Sequence, residues 1–299
     1  MPERIKTIVD FHKRRGLPPP EHPLISVIDY SKVDSPDKTE SFVFDFYTIS
    51  VKRGVGKMRY GQQQYDFDEG VMYFMAPGQV LTVEPPENPS EPRSGWILKV
   101  HPDFLWNTAL AKTIQKYEFF GYAVNEALFL SPREEEILNG LVENIRREYR
   151  GTMDKFSQNI IVSHLETLLN YSERFYQRQF ITRKKSGHQI LEKMESLLDQ
   201  YFDDEATAME GLPSVQYIAD HLNVSKSYLA SLLRTLTGLN TQQHIHEKLI
   251  GKAKEKLSTT ELTVSEIAYS LGFEHPQSFS KLFKSKTGQS PLEFRLSFS

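Results

Sequence analysis

The stretch Ser214–Arg295 contains one short pattern twice. The first copy is Ile218–Ser225, IADHLNVS, and the second is Ile267–Phe273, IAYSLGF. In each copy an Ile-Ala pair precedes a Leu, a turn-forming residue follows that Leu, and a second apolar series at helical spacing comes next. A short helix, a tight turn and a second helix form a helix-turn-helix unit, so the stretch predicts two such units in succession.

The residues at the turns and helix ends agree with this interpretation. Asn223 in the first copy and Gly272 in the second tolerate the positive φ that a tight turn requires. Ser225 is a good N-cap for a helix running from Lys226 to about Leu236, and Pro276 suits the first turn of the corresponding helix in the second copy. Each of these second helices is then expected to end at a Thr-Gly pair.

The second copy and its surroundings resemble the DNA-binding domain of AraC/XylS-type transcription regulators. The match comprises Val264–Phe273, VSEIAYSLGF, then Ser278–Lys284, SFSKLFK, and Ser290–Arg295, SPLEFR. The first copy matches more loosely, because Leu233 stands where the family usually has Phe and Leu249 where its connecting helix often has Arg. The resemblance implies sequence-specific binding of double-stranded promoter or operator DNA, and a contact with RNA polymerase.

The charge distribution supports a DNA-binding role for this region more than the total charge does. The formal net charge is −3 at pH 7, which by itself argues against a nucleic-acid binder. Residues 187–223 contain one Lys or Arg against eight Asp or Glu, whereas residues 224–299 contain ten against six. The presumed recognition helices, Lys226–Leu236 and Pro276–Lys286, contain no carboxylate. Phosphate binding requires local positive charge, so these two helices suit a DNA surface.

The exposed side of each presumed recognition helix supplies the candidate DNA contacts. Such a helix lies in the major groove, where its exposed side chains reach the base edges. Gln277 can recognise adenine and Arg234 guanine through paired hydrogen bonds, whereas Ser and Lys more often contact phosphate. The predicted contact residues are Lys226, Ser227, Ala230, Ser231, Arg234, His275, Gln277, Ser278, Ser280, Lys281 and Lys284.

The N-terminal part of the chain predicts a β-rich domain. From about residue 24 to residue 101, short apolar segments alternate with Gly and Pro turns, which is typical of a sandwich or small barrel. Two amphipathic helices are expected over about residues 131–180, beginning at the capping signal Ser131–Glu134. The predicted strands are Leu24–Tyr30, Phe42–Lys52, a hairpin over residues 57–67, Val71–Met75, Leu81–Val83 and Trp96–Val100.

The glycine-containing pattern GVGKM … GVMYFMAPGQ, between Gly54 and Gln79, resembles the cupin-type sensor domain of the same family. This resemblance implies a pocket for a small-molecule effector inside the barrel and a homodimer formed through the two following helices. Aromatic and Arg side chains on the strands suit such a pocket, but they suit an ordinary core and surface equally well, so no ligand-binding residue is singled out. These side chains are Tyr47, Tyr60, Tyr73, Trp96, Arg53 and Arg59.

The fold class is therefore predicted as two-domain α+β. A cupin-like sensor and dimerisation domain is expected over residues 1–180, with its barrel at about 24–101 and its helices at about 131–180. A short basic linker over residues 181–187 leads to an AraC-type DNA-binding domain over residues 188–299. Its helix-turn-helix motifs are expected at about 214–237 and 264–287, joined by a linker helix.

The cysteine and histidine content and the absence of long apolar runs exclude several kinds of functional site. Cysteine is absent, which excludes disulfides, thiol nucleophiles and thiolate metal ligands. Before the helical region the histidines are His12, His22 and His101, without the His-x-His pair of metal-binding cupins, so no metal, cofactor or catalytic residue is predicted. The start of the chain lacks an apolar signal segment and no long apolar run follows, so we expect a cytoplasmic protein without a membrane partner.

Two alternatives to a transcription regulator remain open at this level. One is an enzyme on the N-terminal barrel, which stoichiometric bound metal would favour. The other is a helical interaction module that has kept this fold without binding DNA, which the acidic total charge and the looser first copy allow.

Overall fold

The computed structural model of the chain describes residues 2–53, 70–83, 85, 92–122, 126–182, 184–204 and 211–297. The chain divides into two compact units, Met1–Gln179 and Phe180–Ser299. The first is rich in β-sheet and the second is helical, which confirms the predicted α+β class. Among the described residues, no helix combines the length and the apolar character that a bilayer span requires.

The described strands of the first unit form two sheets. A three-stranded sheet, in the order β1-β3-β6, contains β1 (Glu3–Ile5), β3 (Glu40–Phe44) and β6 (Val80–Val83). A five-stranded sheet, in the order β2-β7-β4-β5-β8, contains β2 (Ile25–Asp29), β4 (Tyr47–Arg53), β5 (Gly70–Met75), β7 (Ser94–Val100) and β8 (Leu128–Leu130). The β1–β3 pair is parallel, and the other pairs are antiparallel.

An aromatic cluster packs between the two sheets. Phe42 and Phe44 from the small sheet meet Ile97 from the large sheet, together with Phe46 and with Phe11 of helix α1 (Ile8–Arg14). All five side chains are buried. Complete burial of one such side chain contributes about 1.5–3 kcal/mol, so this cluster is a main reason why the sheets pack together.

The prediction of a single strand over Phe42–Lys52 is wrong, because the structure divides it between the two sheets. The chain bends at Asp45 and Phe46, between β3 and β4. Asp45 stabilises the bend: its N–H donates to the carbonyl of Ile5 at 3.2 Å, and its carboxylate pairs with Arg4 at 2.9 Å. The alternation of apolar residues continues through the bend, so the pattern alone does not reveal it.

The predictions for the other strands are mostly confirmed. Strands β2, β5, β6 and β7 agree with the expected ranges to within two residues at each end. Strands β1 and β8 have no counterpart in the sequence analysis, because three residues are too few to show an alternation. The predicted hairpin over residues 57–67 lies outside the described residues.

The two predicted helices after the sheets are confirmed. Helix α2 (Ala109–Thr113) precedes β8, and α3 (Pro132–Arg150) and α4 (Ser157–Thr182) follow it. The capping signal is also confirmed: the N–H of Ser131 donates to the Glu134 carboxylate at 2.9 Å, and the N–H of Glu134 donates to the Ser131 hydroxyl at 3.4 Å.

The second unit consists of helices joined by short turns. They are α5 (Lys184–Asp203), α6 (Val215–His221), α7 (Lys226–Thr237), α8 (Thr241–Thr259), α9 (Val264–Ser270), α10 (Pro276–Thr287) and α11 (Pro291–Leu296). The linker expected over residues 181–187 is helical wherever it is described, since it contains the end of α4 and the start of α5. Lys is a good helix former, so the basic residues Lys184 and Lys185 are compatible with the start of a helix.

Candidate nucleic-acid interface

Both helix-turn-helix units are present, and their turns have nearly the same geometry. Helix α6 is followed by Asn223 at φ 54°, and α9 is followed by Gly272 at φ 85°. In both units the next N–H donates at 3.0 Å to the carbonyl of the preceding helix's alanine: Val224 to Ala219, and Phe273 to Ala268. The predicted left-handed turn residues are therefore confirmed, and they turn each chain segment in the same way.

The two recognition helices, α7 and α10, also have matching ends. The Ser225 hydroxyl accepts the N–H of Tyr228 at 3.1 Å, as expected of an N-cap, and Pro276 occupies the first turn of α10. Gly238 and Gly288 both have φ of 78°, and each closes the last turn of its helix with an N–H bond of 2.9 Å. Each recognition helix thus has the same length of 12 residues and the same termination.

One apolar core connects the two helix-turn-helix units. It includes the fully buried Ala219 and Ala268 of the first helices, Leu233 of α7 and Phe283 of α10. Helix α8 contributes Leu249, which is fully buried at the position where the family often has Arg. Because α8 packs into the same core as both recognition helices, it determines the distance between them.

The predicted contact residues lie on the sides of α7 and α10 that face away from this core. None of them is buried: most are exposed, while Ser227, Ala230, Ser231 and Ser280 are half-buried. The structure brings them together as two groups, one on each recognition helix. We define the α7 surface as Lys226, Ser227, Ala230, Ser231 and Arg234, and the α10 surface as His275, Gln277, Ser278, Ser280, Lys281 and Lys284.

The lysines of these two surfaces carry charges with which a DNA phosphate could pair. In the described part of the chain, the ammonium groups of Lys226, Lys281 and Lys284 have no carboxylate oxygen within 4.0 Å. Two of the four lysines of α8, by contrast, pair at 2.6 Å with carboxylates of α5: Lys248 with Asp199, and Lys252 with Asp203. Lysines that have a structural role here are thus paired, whereas the lysines on the two surfaces can attract phosphate.

The first unit contains a cavity whose lining the sequence analysis largely missed. Its polar lining comes from β4 and includes Thr48, Ser50 and Lys52, while rings such as Phe119 and Tyr176 form its walls. These three β4 residues alternate along the strand, so they share one face, and that polar alternation was the available signal.

Of the side chains considered for a pocket, Tyr73 lines this cavity. Tyr60 and Arg59 lie outside the described residues. The other three have different partners: Tyr47 packs on Phe120, the Trp96 indole donates to Asn139 at 2.7 Å, and Arg53 pairs with Glu135. Within the described residues, no group of three or more His, Asp or Glu side chains is placed to hold a metal ion.

Two models of known protein families match the chain, one within each of its two compact units. A family model described as a helix-turn-helix domain matches residues 218–297, and one described as an AraC-like ligand binding domain matches residues 38–154. In order along the chain, these are the two domains that the resemblance implied.

Three relatives each match a part of the chain. The HTH-type transcriptional activator AarP of Providencia stuartii is 37% identical over 84 residues, covering 28% of this chain and 62% of that protein. The Msm operon regulatory protein of Streptococcus mutans is 37% identical over 81 residues, covering 27% and 29%. The arabinose operon regulatory protein of Escherichia coli K12 is 28% identical over 127 residues, covering 42% and 43%.

The chain therefore spans less than half the length of the last two relatives. Among solved structures, the C-terminal domain of AraT, a response regulator from Geobacillus stearothermophilus, is 28% identical with a TM-score of 0.32, covering 36% of this chain and 84% of that one. With the ligand-binding and helix-turn-helix domain models matched in sequence over most of its length, the chain belongs to the AraC family of transcription regulators.

Proposed function

We propose that this protein binds a specific site on double-stranded DNA through its two helix-turn-helix units and thereby regulates transcription from a nearby promoter. The observation that supports this most directly is the pair of exposed surfaces on α7 and α10, which contain unpaired lysines and no carboxylate. Two of the relatives described above are named as operon regulatory proteins, which agrees with this role.

Each surface contains side chains suited to base contacts and side chains suited to phosphate contacts. Gln277 and Arg234 have the side chains that form paired hydrogen bonds to a purine edge. Lys281, Lys284 and Lys226 provide the charge that positions a helix against phosphates. The α7 surface has fewer unpaired lysines than the α10 surface, so we propose that α10 contributes more of the phosphate contacts.

The length of α8 suits two successive major-groove contacts on one side of a duplex. Its 19 residues span about 28 Å at the helical rise. Successive major-groove segments on one face of B-DNA are about 34 Å apart. Since α7 directly precedes α8 in the chain and α9 and α10 directly follow it, the separation of the two recognition helices can approach this repeat without bending the connecting helix.

The first unit would add regulation to DNA binding. The cavity beside β4 supports an effector site, in agreement with the matched AraC-like ligand binding domain. Exposed apolar side chains near the start of α4, Phe156 and Ile160, support a homodimer through the helices of this unit. The family resemblance further implies a contact with RNA polymerase once the protein is bound at a promoter.

A selection of bound fragments from the organism's own genomic DNA, followed by mobility shifts, tests this function. We expect the full-length protein to retain a small set of fragments and to bind them more tightly than random DNA. Affinity for both should fall as salt rises, because phosphate binding releases counterions. Failure to shift any DNA in dilute buffer would refute the proposal and favour the interaction module without DNA binding.

A further inference from the structure

The cavity beside β4 combines an apolar wall with one polar end. The wall contains Phe119, Leu81 and Met75, and the polar end contains Ser50 and Lys52. These two polar residues occupy alternate positions of one strand, so their side chains point to the same side of the sheet. A ligand with an apolar body and a single polar group would fit this division.

Two hydrogen-bond donors at the polar end lack partners within the described part of the chain. The Ser50 side chain is 3% exposed, and its hydroxyl makes no hydrogen bond to any described residue. The Lys52 ammonium likewise has no hydrogen bond or ion pair there; it lies over the rings of Tyr30, at 5.0 Å, and Tyr73, at 5.9 Å. Both donors line the cavity, so the oxygen of a bound ligand could accept a hydrogen bond from each of them.

The surroundings of Lys52 are positively charged. Arg15 and Arg93 both repel its charged form, and the buried ammonium of Lys99 lies close by, 3.1 Å from the Thr48 hydroxyl. Burial, together with Arg15 and Arg93, lowers the pKa of Lys52 to about 8.

Three described carboxylates act on Arg15: Glu40, which pairs with both Arg14 and Arg15, together with Asp34 and Glu3. Within the described residues, no carboxylate oxygen lies within 4.0 Å of the Lys52 ammonium, so a bound anion would supply its missing partner.

We propose that the cavity binds a small organic monocarboxylate, whose carboxylate accepts hydrogen bonds from Lys52 and Ser50 while its apolar body packs against Phe119. This inference rests on the effector site of the proposed function and names the chemical class of that effector. A single charge is favoured over a phosphate dianion, because one ammonium and one hydroxyl offer too few donors to replace the hydration of a phosphate. A neutral ligand would leave the Lys52 charge buried and uncompensated.

Calorimetric titration of the full-length protein without DNA tests this proposal. The probes are acetate, hexanoate and phenylacetate, each compared with its neutral amide, so that charge changes at nearly constant shape. We expect hexanoate or phenylacetate to bind at least tenfold more tightly than the matching amide. Absence of any preference for the acid across the three pairs would overturn the proposal.

Variants separate the role of Lys52 from a general charge effect. Lys52→Met should abolish the preference for the acid over the amide, whereas Lys112→Met, at an exposed position of α2, should keep it. Ser50→Ala, which changes volume little, should weaken the acid severalfold and serves as the second variant if Lys52→Met does not fold. Retention of the full preference in folded Lys52→Met, or an undiminished affinity for the acid in Ser50→Ala if that is the variant available, would contradict the assignment.

The pH dependence gives an independent signature. Because Lys52 loses its proton near pH 8 in the free protein, affinity for the acid should fall between about pH 7 and pH 9, while affinity for the amide stays constant. Burial raises the pKa of Tyr30, so that phenol remains neutral over this range. Burial, with Lys52 and Arg15, lowers the pKa of Lys99, which Lys52→Met retains, so a fall in affinity that persists in that variant would belong to Lys99. An affinity for the acid that does not change with pH would argue against Lys52 as its partner. Loss of DNA binding with this pattern intact would refute the proposed function and leave the binding site standing.

Discussion

At the residue scale, Gln277 and Lys281 lie on the same α10 surface but should contribute differently to DNA binding. Gln277→Ala should lose discrimination at one base pair, by about 1–3 kcal/mol, because an amide pairs with one base edge. Lys281→Ala should instead weaken binding to all sequences and flatten the dependence of affinity on salt, because a lysine ammonium attracts phosphate whatever the base sequence. Mobility shifts with the selected site, its single-base variants and random DNA measure both effects. Equal losses on specific and random DNA from Gln277→Ala would remove it as a base-contacting residue.

Another prediction at this scale concerns His12, which links α1 to the large sheet. Its Nδ1 lies 2.5 Å from the carbonyl of Pro18 and its Nε2 lies 3.0 Å from the Ser26 hydroxyl. Burial, with a smaller effect of Lys99, lowers the pKa of His12 below its usual 6.5. Below about pH 6.5 the unfolded chain therefore takes up a proton at His12 that the folded chain does not, so this residue makes stability fall as pH falls.

Thermal unfolding of the wild type and His12→Gln checks this effect. Glutamine can both donate and accept, so the variant keeps hydrogen-bonding capacity without a group that titrates in this range. Between about pH 7.5 and pH 5.5, we expect the wild type to lose more of its Tm than the variant does. The opposite order, or equal losses, would show that His12 is not held neutral in the folded protein.

At the element scale, Gly251 offers a test of α8, the helix that connects the two helix-turn-helix units. Gly251 lies within this helix, and a Cβ added there would meet no atom within 4 Å. Gly251→Ala should therefore stabilise the second unit by about 0.5–1 kcal/mol, since Ala loses less backbone entropy in a helix. The measurement is the Tm of the full-length protein. Gly238→Ala is the matched control, because its φ of 78° makes a Cβ unfavourable by about 1–2 kcal/mol and should lower the Tm.

The same scale shows which elements a sequence can reveal. The helix-turn-helix units depend on local signals, such as Asn223, Gly272 and the N-cap Ser225, and these specify the turn wherever they occur. The bend at Asp45 depends on Arg4 and Ile5, about forty positions away in the chain, so no local pattern indicates it. The helical residues of the expected linker are hidden for a different reason, because a short basic segment is equally typical of a flexible connection.

At the scale of each unit, the sequence indicates the exposed surfaces of α7 and α10 better than it indicates the cavity. Whether a helix side chain is exposed follows from the 3.6-residue period, so the sides of α7 and α10 that avoid the core were predictable. The cavity is formed by side chains from strands and helices far apart in the chain, including Lys52, Leu81 and Tyr176. Alternation places Lys52 on a face of β4, but only the fold shows that this face encloses a space.

At the scale of the whole molecule, the proposed homodimer makes the last prediction. Phe156 is 56% exposed and Ile160, one turn further along α4, is 41% exposed. Trp106, whose side chain is 69% exposed, lies beside this turn, since its carbonyl accepts a hydrogen bond from Gln158 at 3.3 Å. Large apolar side chains grouped on a surface are typical of a protein interface, and removing them from water would stabilise a second copy there.

Ile160→Glu should therefore weaken self-association at least tenfold, because it would place a carboxylate in the apolar centre of the interface. Sedimentation velocity over a range of protein concentrations measures this shift. Val9→Glu is the control, since Val9 is 46% exposed on α1, away from α4 in the chain, and should leave the association unchanged. If DNA binding requires the dimer, Ile160→Glu should also reduce affinity for paired half-sites more than for a single one. A monomeric wild type, or equal association in the two variants, would exclude this part of α4 as the dimer interface.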